Sequence, residues 1–419
     1  VRTNPFREEG DTRIIVLSAK WCILSIVTTK TVKRAYKYRF APTEQQEALL
    51  RRTFGCVRVV YNKALEERTT AWHRDRKSLT YADTSKLLTG WKSSEDYHWL
   101  SEVSSVPLQQ ALRHLHTGFS NFWNKRSGYP RFKKRTHRQS ASFTQYAFRW
   151  NAAASELKLA KTAEPLAIAW SRPIPEGSVP TTVTVSLDTA GRWFVSILVE
   201  ESIADLEPTS TSVGIDLGAK DLAVLSTGEK IAPARMTRTE RFLLRRAQKA
   251  VARRVKGSKN REKALREVAR IHAAVVDRRR DQLHQLSTRL VRENQTIVIE
   301  DLAVQPMMAA GRGRHKAGLN AAIAQASMAE LRSMLEYKCA WYGRELVVID
   351  RWFPSTQLCS SCSAQTGPRG FASLRTRVWT CGSCGAAHDR DVNAANNVLA
   401  AGLAVTVCGD GRSLAHATA

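Results

Sequence analysis

Acidic residues are scarce in this chain. Its 419 residues hold 38 Asp+Glu against 65 Lys+Arg, a formal charge of +27 with a pI near 10.2. Such an excess repels itself unless a polyanion neutralises it, and nucleic acid is the usual one. A ribosome-associated or membrane-surface protein is the alternative at this level. Long apolar runs are missing too: no span of eighteen apolar residues exists, so nothing in the sequence is expected to cross a membrane. The nearest approach, residues 14–29 (IIVLSAKWCILSIVTT), is interrupted by Lys20 and preceded by Glu8, Glu9 and Asp11, unlike a signal-peptide core. Residues 1–31 are therefore expected to be a poorly ordered leader. No internal repeat is visible. Cysteine is sparse for this length, and four of the eight fall into two close pairs while Cys22, Cys56, Cys339 and Cys408 are scattered. That distribution fits a reducing cytoplasm with one metal site better than a disulfide scaffold. Apolar content of 43% and charged content of 25% are those of a globular protein, and the length implies two or three domains.

Residues 32–40 (VKRAYKYRF) alternate basic and aromatic positions, the period of a strand, which Pro42 and Thr43 stop. Thr43 with Gln46 makes a capping box, and Leu50, Phe54, Val57, Tyr61 and Leu65 follow at helical spacing. A second helix is expected after Pro107, with Leu108, Ala111, Leu112, Leu115, Phe119 and Phe122 as its stripe. Both stripes suit helix–helix core. In residues 128–138 (GYPRFKKRTHR), Arg131, Lys133, Lys134 and Arg135 surround Tyr129 and Phe132, a composition for phosphate contact with base stacking. A solvated basic loop is the alternative. Val183, Val185 and Leu187 then alternate, residues 188–191 turn, and Trp193, Val195, Ile197 and Val199 alternate again, which predicts a hairpin within a small barrel. The helices of residues 43–127 interrupt that barrel.

A polar stretch at residues 201–212 marks a boundary. Strands are expected at 212–217 and 221–226, followed by basic helix over 237–292 broken at Gly257–Ser258. Its Arg245, Arg246, Lys249, Arg253 and Arg254 lie on several faces with few acids nearby, the character of a nucleic-acid-facing surface rather than of simple ion pairing. Strand 296–300, a Gly/Arg loop at 311–318, a helix near 320–342, strand 345–350, a cysteine region and a last helix from about Val392 complete the chain.

Cys359-Ser-Ser-Cys362 and, eighteen residues on, Cys381-Gly-Ser-Cys384 form the sharpest metal signal. Each turn aims two thiolates at one point, and two such turns supply the tetrahedral sulfur shell of a structural zinc ion with no open position. The second signal is acidic. Val213-Gly-Ile-Asp216-Leu-Gly218 puts a carboxylate in an apolar strand, Ile297-Val-Ile-Glu300-Asp301 repeats the arrangement, and Asp391 opens the final helix. Each is weak alone: the first motif also occurs in sugar kinases and actin-like folds, and Asp391 could be an ordinary helix cap. Together they predict a cation site, because two unit charges about 4 Å apart repel by about 4 kcal/mol at an effective dielectric near 20. Two divalent ions relieve this, Mg2+ or Mn2+ given an all-oxygen shell, with Asp216 bridging them and Glu300 and Asp391 each holding one. Asp301 and Asp389 compete for these roles, but neighbouring strand residues point to opposite faces.

These motifs, with YKYRFAPT, GYPRFKKR, VIEDL, LEYKCAWYG, DRWFPSTQLCSSC and WTCGSCGAAHDRDVNAANN, resemble those of the TnpB family, the OrfB-type transposases of bacterial insertion sequences, over residues 36–399. Met328 and Asn396 depart from it, where an aromatic residue and a lysine are common, without touching the acids. The resemblance implies an α/β multidomain protein. A wedge β-barrel (32–42 and 128–205) would carry an inserted helical recognition domain (43–127), and an RNase H-like RuvC domain (210–419) would carry an inserted zinc ribbon (355–388). It implies catalytic positions at Asp216, Glu300 and Asp391, zinc positions at the four paired cysteines, and cleavage of double-stranded DNA matched by a guide RNA next to a short motif. No membrane partner is expected, the site of action is the bacterial cytoplasm and nucleoid, and monomer and homodimer stay open. A strand-transfer transposase would use the same acids. A silent RNA-guided DNA-binding regulator would have lost them, and here all three remain.

Overall fold

The computed structural model describes residues 13–14, 27–302, 308, 314–369 and 375–407. Most of the expected leader, Cys22 and Cys408 therefore lie outside the described residues. The chain divides into two compact units: Thr31–Glu201 with Ala247–Arg270, and Val1–Lys30 with Ser202–Arg246 and Ile271–Ala419.

Five strands of a six-stranded sheet carry the first unit; the sixth, β1 (Arg13–Ile14), falls outside it. Strand β1 pairs with the start of β2 (Val27–Ala41), which begins five residues before the expected position 32. The order continues through β8 (Trp193–Ala204), β7 (Pro180–Leu187) and β3 (Gln139–Thr144), with β6 (Ala167–Ala169) beside β2. Among the described residues this ladder is an open path. The expected hairpin is present, pairing Val185 with Val195 and Val183 with Ile197. All four of these side chains are fully buried, as strict alternation demands. A separate ribbon joins β4 (Phe148–Asn151) and β5 (Glu156–Leu159).

Three helices interrupt the sheet. Helix α1 (Glu44–Asp75) starts at the Thr43 capping box, with Gln46 N–H donating to Thr43 Oγ1 at 3.3 Å and Thr43 N–H to Gln46 Oε1 at 3.2 Å. Helix α3 (Ser105–Trp123) begins two residues before Pro107, which sits in the first turn where no backbone donor is needed. Between them lies α2 (Tyr81–Ser93), opened by a second capping box of Thr80 and Asp83. Leu50, Phe54, Val57, Leu108, Leu112 and Leu115 join Tyr38, Val185 and Ile197 in one core.

The second unit is built on a five-stranded sheet in the order β11-β10-β9-β12-β13. Its strands are β9 (Ser212–Asp216), β10 (Ala223–Leu225), β11 (Lys230–Ile231), β12 (Thr296–Glu300) and β13 (Glu345–Ile349). Strands β9, β12 and β13 run parallel to one another, whereas β10 pairs antiparallel with both β9 and β11. Ile215, Ile297, Val298 and Ile299 are fully buried, the near-continuous apolar run of a sheet covered on both faces. Helices α4 (Arg238–Ala252) and α5 (Lys259–Glu293) separate where the sequence places Gly257, at φ 88°.

The helix expected near 320–342 is two. Helix α6 (Arg314–Ala326) already includes residues 314–318 of the expected Gly/Arg loop, whose residues 311–313 lie outside the described set. It ends at Ser327, left-handed at φ 53°, before α7 (Met328–Tyr342). Much of LEYKCAWYG is structural: buried Lys338 donates to His284 O, Ser287 Oγ and Thr288 Oγ1 at 2.9, 2.7 and 2.7 Å, and left-handed Gly343 ends α7. A two-stranded ribbon of β14 (Val378–Thr380) and β15 (Ala387–Asp389) leads into α8 (Arg390–Val407). Among the described residues no helix is long and apolar enough to cross a membrane.

Candidate active site and metal centre

Strand register brings two of the three acids together. Parallel pairing matches Gly214 with Val298 and Ile215 with Ile299, so the next step sets Asp216 level with Glu300 at the same end of adjacent strands. Equal parity puts both carboxylates on the face that carries Gly214 and Val298. Helix α8 lies on that face at very short range. A Cβ on Gly214 would come 2.2 Å from Ala395 O and 2.7 Å from Leu399 Cβ, and one on Gly402 would come 2.3 Å from Val298 Cγ1. Asp391, Ala395 and Leu399 follow at intervals of four on α8, so the helix stripe that touches β9 carries Asp391 toward the ends of β9 and β12.

The electrostatics follow from this placement. Burial pushes the Asp216 carboxyl up to about 7, and the charges of Glu300 and Asp391 add to it, with Arg390 opposing. Burial also raises Glu300, against the Ser355 hydroxyl that donates to its Oε1. Asp391 is ion-paired with Arg377 at 3.1 Å. A buried carboxylate near two other acids is only partly compensated by Arg390 and Arg377, and that all-oxygen donor set fits hard divalent cations. Among the described residues, however, only the four cysteines gather ligand atoms tightly enough to share one ion as they stand. The competing acids are engaged elsewhere. Asp301 is held below the usual carboxylate range first by Arg332, whose Nη1 is 2.6 Å away, and also by Arg351. Asp389 pairs with Lys230 at 2.6 Å and caps α8, accepting from the N–H groups of Asp391 and Val392.

The sulfur ligands of Cys359, Cys362, Cys381 and Cys384 all lie within 4.8 Å of one another. Cys359 Sγ is 3.6 Å from Cys384 Sγ, and Cys362 Sγ is 3.7 Å from Cys381 Sγ. The Thr366 hydroxyl, aided by the backbone amides of Cys384 and Ser383, lowers the Cys381 thiol to about 5, favouring the thiolate that a metal requires. His388 Nε2 is 3.0 Å from Cys359 Sγ, an outer contact to a ligand sulfur. Sequence reasoning missed the residues that tie this ribbon to the acids. Asn393 Nδ2 donates to Leu358 O at 2.7 Å while its Oδ1 accepts from Ser360 N–H at 2.8 Å. Asn397 Nδ2 donates to Ser355 O and Leu358 O, both at 2.8 Å. Two asparagines four apart on the final helix were the available signal: buried polar groups at helical spacing need fixed partners.

The basic candidates separate into two kinds. Lys133 Nζ sits 4.2 Å from the Tyr61 ring centroid, and its backbone is held by Asn62. Tyr129 packs edge-on against Phe119 and Phe122 and shares a 2.9 Å hydrogen bond with Thr69. These two are held by contacts with the helices, although Tyr129 is itself exposed, while Arg131, Phe132, Lys134 and Arg135 are exposed without such ring contacts. Arg245, Arg246, Lys249, Arg253 and Arg254 are all exposed, and none forms an ion pair among the described residues.

Comparison with known proteins places the whole chain in a family. Family models match at residues 31–77 (a helix-turn-helix domain of the OrfB family), 194–310 ("Probable transposase", OrfB family) and 329–398 (the TNB domain of Cas12f1-like proteins). A Streptomyces pristinaespiralis protein named "Putative RNA-guided DNA endonuclease" is 60% identical over 381 residues, covering 91% of this chain and 92% of that one. InsQ of Escherichia coli K12, which carries the same name, is 32% identical over 390 residues, covering 90% and 94%. Among solved structures, a Cas12f1–sgRNA–target DNA complex shares the fold, with TM-score 0.50 at 13% identity over 88% of this chain and 98% of that one. At that identity the likeness is one of mixed α/β fold alone. The full-length sequence matches are what establish kinship: the chain belongs to the TnpB-like, OrfB-type family of RNA-guided DNA endonucleases.

Proposed function

We propose that this chain is an RNA-guided, divalent-metal-dependent endonuclease of a transposable element, cutting double-stranded DNA that matches its guide RNA beside a short motif. The observation that carries the proposal is the buried Asp216 carboxylate with Glu300 and Asp391 around it, in a chain that covers over nine-tenths of relatives bearing the endonuclease name. Asp216, Glu300 and Asp391 would hold the ions, with Glu300 accepting a hydrogen bond from Ser355 and Asp391 paired with Arg377. Two Mg2+ or Mn2+ ions held there supply activation of a water nucleophile and stabilisation of the leaving oxygen. The protein's own contribution is a buried acid cluster fixed by strand register and by the glycine contacts of α8. The five-stranded unit corresponds to a RuvC-type domain. The four-cysteine ribbon, holding one structural zinc ion, anchors the end of α8 that carries Asp391. The six-stranded sheet and its inserted helices correspond to the wedge and recognition parts. The exposed residues among the basic candidates, in 131–135 and 245–254, contact the nucleic-acid backbone, which accords with a chain of charge +27. Activity belongs in the bacterial cytoplasm, on the nucleoid.

The test is to purify the chain from cells that carry its element, sequence the RNA bound to it, and assay cleavage of matching DNA with and without Mg2+. A discrete RNA, metal-dependent cutting and loss of cutting in Asp216→Ala with retained binding are expected. No discrete RNA, or an Asp216→Ala variant that cuts at the normal rate, refutes the proposal.

A further inference from the structure

The helical unit holds a charged group that its own fold does not satisfy. Arg68 on α1 is only 6% exposed, yet among the described residues it has no carboxylate partner and no hydrogen-bond acceptor. Its guanidinium instead lies 4.2 Å from the Phe119 ring centroid and 5.9 Å from that of Trp123. Burial lowers its pKa without displacing its charge. Its guanidinium nitrogens, unpaired within the described residues, still reach solvent, so their donors stay available to a ligand that enters the cavity. Arg68 also lines a cavity of about 180 Å3 whose other walls include Trp72, Lys77, Phe119, Trp123 and Tyr129. Trp72 is 50% exposed and Trp123 55%, large rings left open to water on a folded helical surface. The walls are rigid: Tyr129 is fixed by its Thr69 hydrogen bond, and its ring stands at 88° to Phe119.

We infer that this cavity receives one unpaired nucleobase of a single strand, stacked on the tryptophans, with the Arg68 guanidinium donating to the base edge and Lys77 facing the adjoining phosphate. The occupant must combine a flat π face, hydrogen-bond acceptors and a nearby negative charge, and a nucleotide has all three. A planar fork of donors matches the paired O6 and N7 acceptors of guanine, so guanine is the favoured base. Exposed rings lining the same cavity as a guanidinium serve a ligand that brings its own aromatic face. The inference is independent of the acid centre, since it concerns binding by the helical unit alone.

The experiment uses the full chain, freed of copurified nucleic acid, with Mg2+ omitted so that no cleavage enters the readout. Short labelled strands carry a single guanine, adenine or cytosine among abasic residues, or no base at all, each in deoxy and ribo form to show which strand is taken. Anisotropy should give roughly tenfold tighter binding of the guanine strand than of the base-free strand, one stacked and hydrogen-bonded base. Trp72→Ala and Trp123→Ala, both at half-exposed positions that leave the fold intact, should each erase most of that preference while leaving base-free binding unchanged. Arg68→Lys should keep base over no base but lose guanine over adenine, and Arg68→Met checks the same point with a side chain suited to burial. Equal binding of guanine and base-free strands by the unaltered chain overturns the inference, as does a preference that survives both tryptophan substitutions.

Discussion

Replacing Asp216 by asparagine tests the acid centre without any nucleic acid. In the folded chain this carboxyl titrates at about 7 against an ordinary 3.8, because burial and then Glu300 and Asp391 oppose its charge. Between those two values the folded state binds more protons than the unfolded state, so stability falls as pH rises. About three pKa units at roughly 1.4 kcal/mol each amount to about 4 kcal/mol of lost stability near pH 8 in the absence of divalent cations. Asp216→Asn removes the charge while keeping the shape. It should therefore stabilise this unit by an amount approaching that figure at pH 8 and by almost nothing near pH 4. Denaturant melts of both proteins across that range, with Mg2+ omitted and zinc retained, read the difference directly. Adding Mg2+ should then reverse the order, because only the natural acid set gains from cation binding. A difference that is flat with pH, or an Asp216→Asn variant no more stable than the parent at pH 8, would refute a buried, mutually repelling carboxylate centre.

Three further outcomes follow from the same geometry. Gly214→Val drives a side chain into the Ala395 carbonyl and Leu399, so it should cost about 1–3 kcal/mol and remove Mg2+-dependent cleavage by shifting Asp391; full activity would contradict the close approach of α8. Cys362→Ala should melt the ribbon early and make the remaining melt insensitive to chelator, whereas the unaltered chain should lose a thermal transition on zinc removal. Asn397→Ala strips donors from Ser355 O and Leu358 O, and a loss of about 1–3 kcal/mol with a proportionate fall in cleavage is expected; unchanged denaturation would show that this link is not structural.

Local rules were legible where a residue type has few uses. The Thr43 capping box, the hairpin of residues 183–199 and the break at Gly257 are where spacing alone put them. Helix α2 was not found, since only Thr84, Leu88 and Trp91 of its thirteen residues are buried and the apolar stripe is thin. Its capping pair Thr80 and Asp83 was the signal available. The division of residues 314–342 at Ser327 had no marker, because serine at a positive φ is dictated by what the two helices pack against rather than by its own preference.

Sequence by itself singled out the groups proposed to carry the chemistry: two acids at the ends of apolar strands, a third at the start of the last helix, and four thiols in two tight turns. Those assignments need only the cost of an isolated buried charge and the reach of a short loop, both local quantities. Tertiary structure alone decided that the three acids lie in one region of the second unit. Strand register set Asp216 level with Glu300, and Gly214 and Gly402 allowed α8 to lie close enough to bring Asp391 beside them. It also decided that Asp301 and Asp389 are spent on Arg332 and Lys230, and that Lys133 and Tyr129 belong to a helical wall. A side chain's partner depends on which distant segment arrives within a few ångströms of it, and no neighbour in sequence carries that information.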